Sequence, residues 1–203
     1  MPKSNGSEQI EDTRIILVPA GLTVWQEEGR LVGNANLPLS ETGRAQAIRW
    51  AEQLSEEHLD VIYCYTSGPI KETAGIIAKN LKLKVRDNAN LAEINLGLWQ
   101  GMPMEEIKQR HPKVYKQWRE NPESVTPPDG ESIASLRKRI EPEVQTITNK
   151  NRGKRVAIVL GQVSLAVIRI RKEGHSISAL WNLVDEPLTW HEYIIKGENQ
   201  TES

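Results

Sequence analysis

The chain has 203 residues, with 26 Lys and Arg against 27 Asp and Glu, for a formal net charge of −1. That balance excludes capture of nucleic acid or an acidic membrane through a general positive field, and 38% hydrophobic with 26% charged residues excludes a disordered chain. The single cysteine, Cys64, excludes an internal disulfide framework and a multi-cysteine zinc site, and no run reaches the roughly eighteen apolar residues of a membrane span.

In chain order, residues 1–12 are polar and read as a disordered leader. Arg14-Ile15-Ile16-Leu17-Val18 is a short, continuously apolar run of the kind buried in a parallel sheet. A helix is expected over about 40–56, with Ser40 as its cap, before a second apolar run, Val61-Ile62-Tyr63-Cys64-Tyr65. Further helices are expected at about 70–81, at 103–119 with Pro103 in the first turn, and at 132–149 starting from Ser132. The run Val156-Ala157-Ile158-Val159-Leu160 is followed by a helix at 162–173, and Tyr193-Ile194-Ile195 ends the ordered part. Residues 197–203 read as a flexible tail. Strand alternating with helix predicts a three-layer α/β/α sandwich around a mostly parallel sheet.

In such a sheet the functional crevice lies outside the C-terminal ends of the strands. The segments there read Pro19-Ala20-Gly21, Thr66-Ser67-Gly68-Pro69 and Gly161-Gln162-Val163. None carries a nucleophile beside a base, and none carries a cationic cluster. On these loops alone, no enzyme is indicated.

Longer blocks carry a resemblance. Leu17-Val18-Pro19-Ala20-Gly21-Leu22-Thr23-Val24-Trp25 resembles the L-V-R-H-G-E-T-x-W of the histidine phosphatase superfamily, in its cofactor-dependent phosphoglycerate mutase-like branch. Gly29-Arg30-Leu31-Val32-Gly33 and Leu37-Pro38-Leu39-Ser40-Glu41-Thr42-Gly43-Arg44-Ala45-Gln46-Ala47 resemble the next block. Leu91-Ala92-Glu93-Ile94-Asn95-Leu96-Gly97-Leu98-Trp99-Gln100-Gly101 and Pro127-Pro128-Asp129-Gly130-Glu131-Ser132 resemble two later ones. The resemblance implies a phosphoglycerate mutase-like fold, in one domain over 13–196, with a helical insertion at about 103–126.

It also implies an emptied active site. The position of the family's nucleophilic histidine is Ala20, and that of its second histidine is Gly161. The phosphate-holding arginines fall at Pro19 and Pro69, and the family's asparagine falls at Gln26. Only Glu93 matches a family residue, the general acid. A register slip of two residues would bring Lys71 near the phosphate site in place of Pro69. Phosphoryl transfer needs a nucleophile and cations on the equatorial oxygens, so this replacement implies a catalytically inactive protein.

The other candidates have plainer readings. His58, His111, His175 and His191 are expected in solvated or structural places, and Cys64 as a buried small hydrophobe. Glu93 is expected to hydrogen-bond the loop from Gly97 to Gly101, with a carboxyl raised by burial. The mixed charges of 103–126 read as a solvated helical face, or alternatively as a partner surface anchored by Tyr115 and Trp118. The leading expectation is a non-catalytic binding or regulatory module in the cytoplasm, with a protein or small-molecule partner, as monomer or homodimer. It needs no cofactor or metal and binds neither nucleic acid nor membrane. The alternatives are an active phosphatase or phosphoglycerate mutase with a rearranged site, and a binding module for an uncharged metabolite. Gly21, Thr23 and Gln162 are expected to line the crevice.

Overall fold

The computed structural model describes residues 11–197, so residues 1–10 of the expected leader and 198–203 of the expected tail lie outside the described residues. The strands are β1 (Thr13–Pro19), β2 (Val61–Cys64), β3 (Val85–Asp87), β4 (Arg155–Leu160) and β5 (His191–Ile195). The helices are α1 (Val24–Glu27), α2 (Glu41–Gln53), α3 (Gly68–Leu81), α4 (Met104–Arg110), α5 (Pro112–Glu120), α6 (Ile133–Lys150), α7 (Gln162–Glu173) and α8 (Leu180–Val184).

The sheet order is β3-β2-β4-β1-β5. All neighbours pair in parallel except β5, which runs antiparallel to β1 and puts His191 opposite Leu17. This is the α/β fold with a mostly parallel sheet that the alternation predicts. β1 and β4 are the central pair and are buried on both faces, which is why their sequences are apolar without alternation. Ile15, Leu17, Val156 and Ile158 point to the face covered by α6 and α7, together with Trp99, Trp118 and Trp181. Ile16, Val18, Ala157 and Val159 point to the other face, against Trp50 of α2 and Ile77 of α3.

The caps fall where the sequence places them. Ser40 Oγ accepts from the Gly43 N–H at the start of α2, and Ser132 Oγ from the Ser135 N–H at the start of α6. The single helix expected over 103–119 is two. Pro112 disfavours helical geometry in the residue before it, and His111, at φ −134° and ψ 58°, separates α4 from α5. Pro103 precedes α4 as its N-cap instead of lying in its first turn. The short edge strand β3 and helix α8 carry too few residues to show a period.

One close approach positions the site. A Cβ on Gly21 would stand 2.9 Å from the carbonyl carbon of Gly43, so the start of α2 rests directly on the segment that follows β1. Only glycine at both positions lets the two backbones meet.

Candidate functional site

The C-terminal ends of β1, β2 and β4 open into a cavity of about 340 Å³. Ala20 and Gly21 line it from β1, Tyr65, Ser67 and Pro69 from the end of β2, and Gly161 and Gln162 from the end of β4. Gln26 and Glu93 border it too, and Leu31, Met104, Val163, Trp118 and Trp181 form its apolar walls.

Two expected positions lie elsewhere. Pro19 is within β1, paired with Leu160, and does not border the cavity. Thr23 is fully buried and also does not border it, because its N–H and hydroxyl donate to Gln26 Oε1 in the cap of α1. Lys71 is outside the lining as well, paired with Asp87, so no cation enters by that route.

The backbone donors that follow β1 are all occupied. Pro19 has no N–H, and the Ala20 N–H donates to Leu160 O at 2.7 Å. The Gly21 N–H donates to Thr73 Oγ1 at 3.0 Å, Leu22 to Gln46 Oε1 at 3.0 Å, and Thr23 to Gln26 Oε1 at 2.9 Å. A nest of successive N–H groups can cradle an anion only while its donors are free. Here Thr73, Gln46 and Gln26 take them. Sequence reading did not single out Thr73 and Gln46 for this role, although Gln46 stands inside one of the blocks that carry the family resemblance.

Glu93 fills the other anion-attracting position. Its carboxylate accepts from the N–H groups of Val163 (2.9 Å) and Ser164 (3.0 Å) at the start of α7, and from Ser164 Oγ (2.7 Å) and its neighbour's Ile94 N–H (2.7 Å). The expected bonds to the loop of Gly97–Gly101 are not made. That loop is closed by its own contacts, such as Leu98 N–H to Pro128 O and Gly101 N–H to Leu31 O, while the positive end of α7 is the stronger attraction for a carboxylate. Glu93 is 7% exposed, and burial pushes its carboxyl above the usual range, with the four donors pulling part of the way back.

Gly161 makes this arrangement possible. A Cβ there would lie 2.7 Å from Glu93 Cδ, so any side chain at 161 would expel the carboxylate. Glycine at the strand end and glutamate on the helix are one feature.

The cations near the cavity are Arg30 and Arg119. Arg30 pairs with Glu28 at 2.7 Å and donates to Gly101 O, and Arg119 pairs with Asp185 at 2.8 Å while lying over the Trp181 ring. No histidine lines the cavity among the described residues. Because β5 is antiparallel, His191 does reach the crevice end of the sheet, but it borders a second space of about 10 Å³ beside Arg169 and Glu186. That is room for about one water molecule. Burial lowers the His191 imidazole below its usual value, and Glu173 and Glu186 hold Arg169. Cys64 is buried and its thiol is pushed up to about 12, chiefly by that burial, so it is no thiolate nucleophile. Trp118 is 1% exposed, packed between an edge-on Trp99 and a tilted Trp181, and cannot be the surface anchor of a protein partner. Among the described residues no cluster of metal-ligating side chains occurs, and no helix is long and apolar enough to cross a membrane.

The family model of the histidine phosphatase superfamily (branch 1) matches residues 15–201. The chain belongs to this family. It is 33% identical over 172 residues to phosphoserine phosphatase 1 of Hydrogenobacter thermophilus, covering 83% of this chain and 80% of that one. It is 32% identical over 182 residues to phosphoglycerate mutase-like protein 4 of Arabidopsis thaliana, covering 87% and 79%. Among solved structures, YhfR of Bacillus stearothermophilus superposes with a TM-score of 0.78 at 30% identity, over 87% of this chain and 86% of that one.

Proposed function

We propose that this histidine phosphatase family member is a binding protein that does not turn over phosphate esters. One observation carries the reading: the donors an anion would need in the crevice are already taken by the protein's own acceptors. Val163 and Ser164 serve Glu93, and Gly21, Leu22 and Thr23 serve Thr73, Gln46 and Gln26. On this reading Ala20 and Gly161 stand where the family has histidines, and Pro19 and Pro69 where it has arginines. Each lost charge-assisted bond removes roughly 1.5–3 kcal/mol of anion stabilisation, and loss of a hydrolase nucleophile lowers kcat by about six orders of magnitude. Glu93 accepts on both oxygens from the start of α7, which holds its carboxyl to the helix end.

The relatives favour a second reading, an active phosphatase or phosphoglycerate mutase with a rearranged site. One of them is named as a phosphoserine phosphatase and another as phosphoglycerate mutase-like. That reading needs a nucleophile other than histidine at the cavity, and Ser67 or Tyr65 is what the lining offers. Assays with p-nitrophenyl phosphate, phosphoserine and 3-phosphoglycerate separate the two. No turnover above the buffer rate is expected. Turnover that follows the protein through successive chromatographic steps, and is abolished in Ser67→Ala or Tyr65→Phe, establishes the enzyme.

A further inference from the structure

The cavity that borders Ala20 and Gly161 has a definite chemical character once its charges are accounted for. Arg30 and Arg119 each face a carboxylate within hydrogen-bond distance, and Glu93 is surrounded by donors. A phosphate or carboxylate entering would have to compete with Glu28 or Asp185 for a guanidinium, and a cationic ligand would have to compete with Arg119 or with the donors around Glu93. Either would exchange its hydration for a partner already shared, which disfavours both signs of charge.

Groups that remain free are neutral. Tyr65, Ser67 and Gln162 line the cavity, Gln162 bordering the small space beside Arg169 as well, and among the described residues none of the three makes a side-chain hydrogen bond. All three sit at the strand ends, on the sheet side. The apolar part of the lining includes the partly exposed Leu31, Met104 and Val163, while the Trp118 and Trp181 indoles are almost wholly buried. A volume of about 340 Å³ is at the small end of small-molecule sites, which span roughly 300–1,000 Å³.

We propose that the cavity binds an uncharged small molecule of one or two rings, whose apolar body lies against Leu31, Met104 and Val163 and whose hydroxyl or carboxamide head meets Tyr65, Ser67 and Gln162. This rests on the reading of the protein as a binder, and it adds the ligand class. Discrimination is set by charge: the same ring system should bind as its alcohol and be rejected as its phosphate ester or as its amine.

The test is calorimetric titration of the full chain with three probes that share one ring system, 2-naphthol, 2-naphthyl phosphate and 2-(aminomethyl)naphthalene. The expected result is that 2-naphthol binds at least tenfold more tightly than either charged probe. Tyr65→Phe should weaken 2-naphthol about three- to tenfold, as for one lost neutral hydrogen bond, with an unchanged melting temperature because that hydroxyl has no protein partner. Filling the cavity with Val163→Trp should abolish binding. If none of the three binds, or all bind alike, or Tyr65→Phe binds as tightly as the parent, the ligand class is wrong. Tight binding of 2-naphthyl phosphate without release of naphthol overturns the ligand class and leaves the absence of turnover intact. Release of naphthol overturns both.

Discussion

The two ends of α7 hold charge in opposite ways. At its start, in the crevice, a single buried carboxylate, Glu93, meets only neutral donors: two backbone N–H groups of the helix, one hydroxyl and its neighbour's N–H. Toward its end, Arg169 is buried but pairs with Glu173 at 3.0 Å and Glu186 at 2.7 Å, and Glu173 also accepts from Tyr193 and His175. The second arrangement is a dense ionic network that ties α7 to β5 and to the segment after α8. The first is a helix start closed from within. In a family whose chemistry concerns phosphate, the region that should attract anions holds one of its own, and the strong cation lies some two turns of helix away from it, matched by two carboxylates.

The sharpest way to break this comparison is Gly161→Ala. The new Cβ would displace Glu93, leaving the Val163 and Ser164 donors and the carboxylate itself without partners. A buried group left unpaired costs about 1–3 kcal/mol and more when charged, so a loss of about 3–4 kcal/mol is expected. The backbone at 161, φ −70° and ψ 167°, suits alanine, so strain there is not the cause. In a Glu93→Ala background the same change should cost less than about 1 kcal/mol, the ordinary difference between glycine and alanine at a helix N-cap. Urea unfolding of the four proteins in the cycle measures the coupling. Additive costs would mean that Gly161 and Glu93 are independent.

At the other end, Arg169→Ala is expected to destabilise by about 2 kcal/mol. Breaking a fully buried ion pair costs about 3–5 kcal/mol, but Glu173 and Glu186 are partly hydrated here and Glu173 keeps two other donors. Arg169→Met, which restores the packed stem without the charge, should recover part of the loss. A fall as large as that of Gly161→Ala would place the greater electrostatic stress at the network instead of the crevice.

What could be read from the sequence divides along the same line. β1, β2 and β4 were legible because a strand buried on both faces is an unbroken apolar run, and α2 and α6 because Ser40 and Ser132 mark their starts. Ala20, Pro69 and Gly161, which the resemblance singles out, come together at one cavity, since strand ends in an open parallel sheet must. The destination of Glu93 was not legible. It reaches across about seventy residues of chain to α7, and only the missing side chain at Gly161 permits the reach. The pairing of Gly21, Leu22 and Thr23 with Thr73, Gln46 and Gln26 was hidden for the same reason, because long-range polar contacts leave no period in a sequence. Trp118 misled in the opposite direction. In a charged segment that reads as a solvated face, it offers itself as the alternative's partner anchor, yet its indole lies in the core against Trp181.

The smallest effect concerns pH, where the two carboxylates of the comparison have opposite signs. Burial lifts the Glu93 carboxyl above its unfolded value of about 4.3. Between that value and the raised one, the folded protein keeps a proton the unfolded chain has released, so stability falls as pH rises through the window. For Glu173, burial also pushes upward, but Arg169, Tyr193 and His175 outweigh it and hold the carboxyl below its usual range. Its contribution is therefore complete above about pH 5 and is lost as pH falls through the folded value. Glu173 therefore shapes the acid limb of stability against pH, and Glu93 the limb above it. Glu173→Gln should flatten the acid limb of melting temperature against pH by no more than about 1 kcal/mol, since the group is partly solvated. Glu93→Gln should flatten the opposite limb and leave the acid limb as it was. Melting curves from about pH 3 to 8 read both changes in one series. If the Glu173→Gln curve runs parallel to the parent below about pH 5, the network holds Glu173 by geometry alone, and the contrast between the ends of α7 is one of packing rather than of charge.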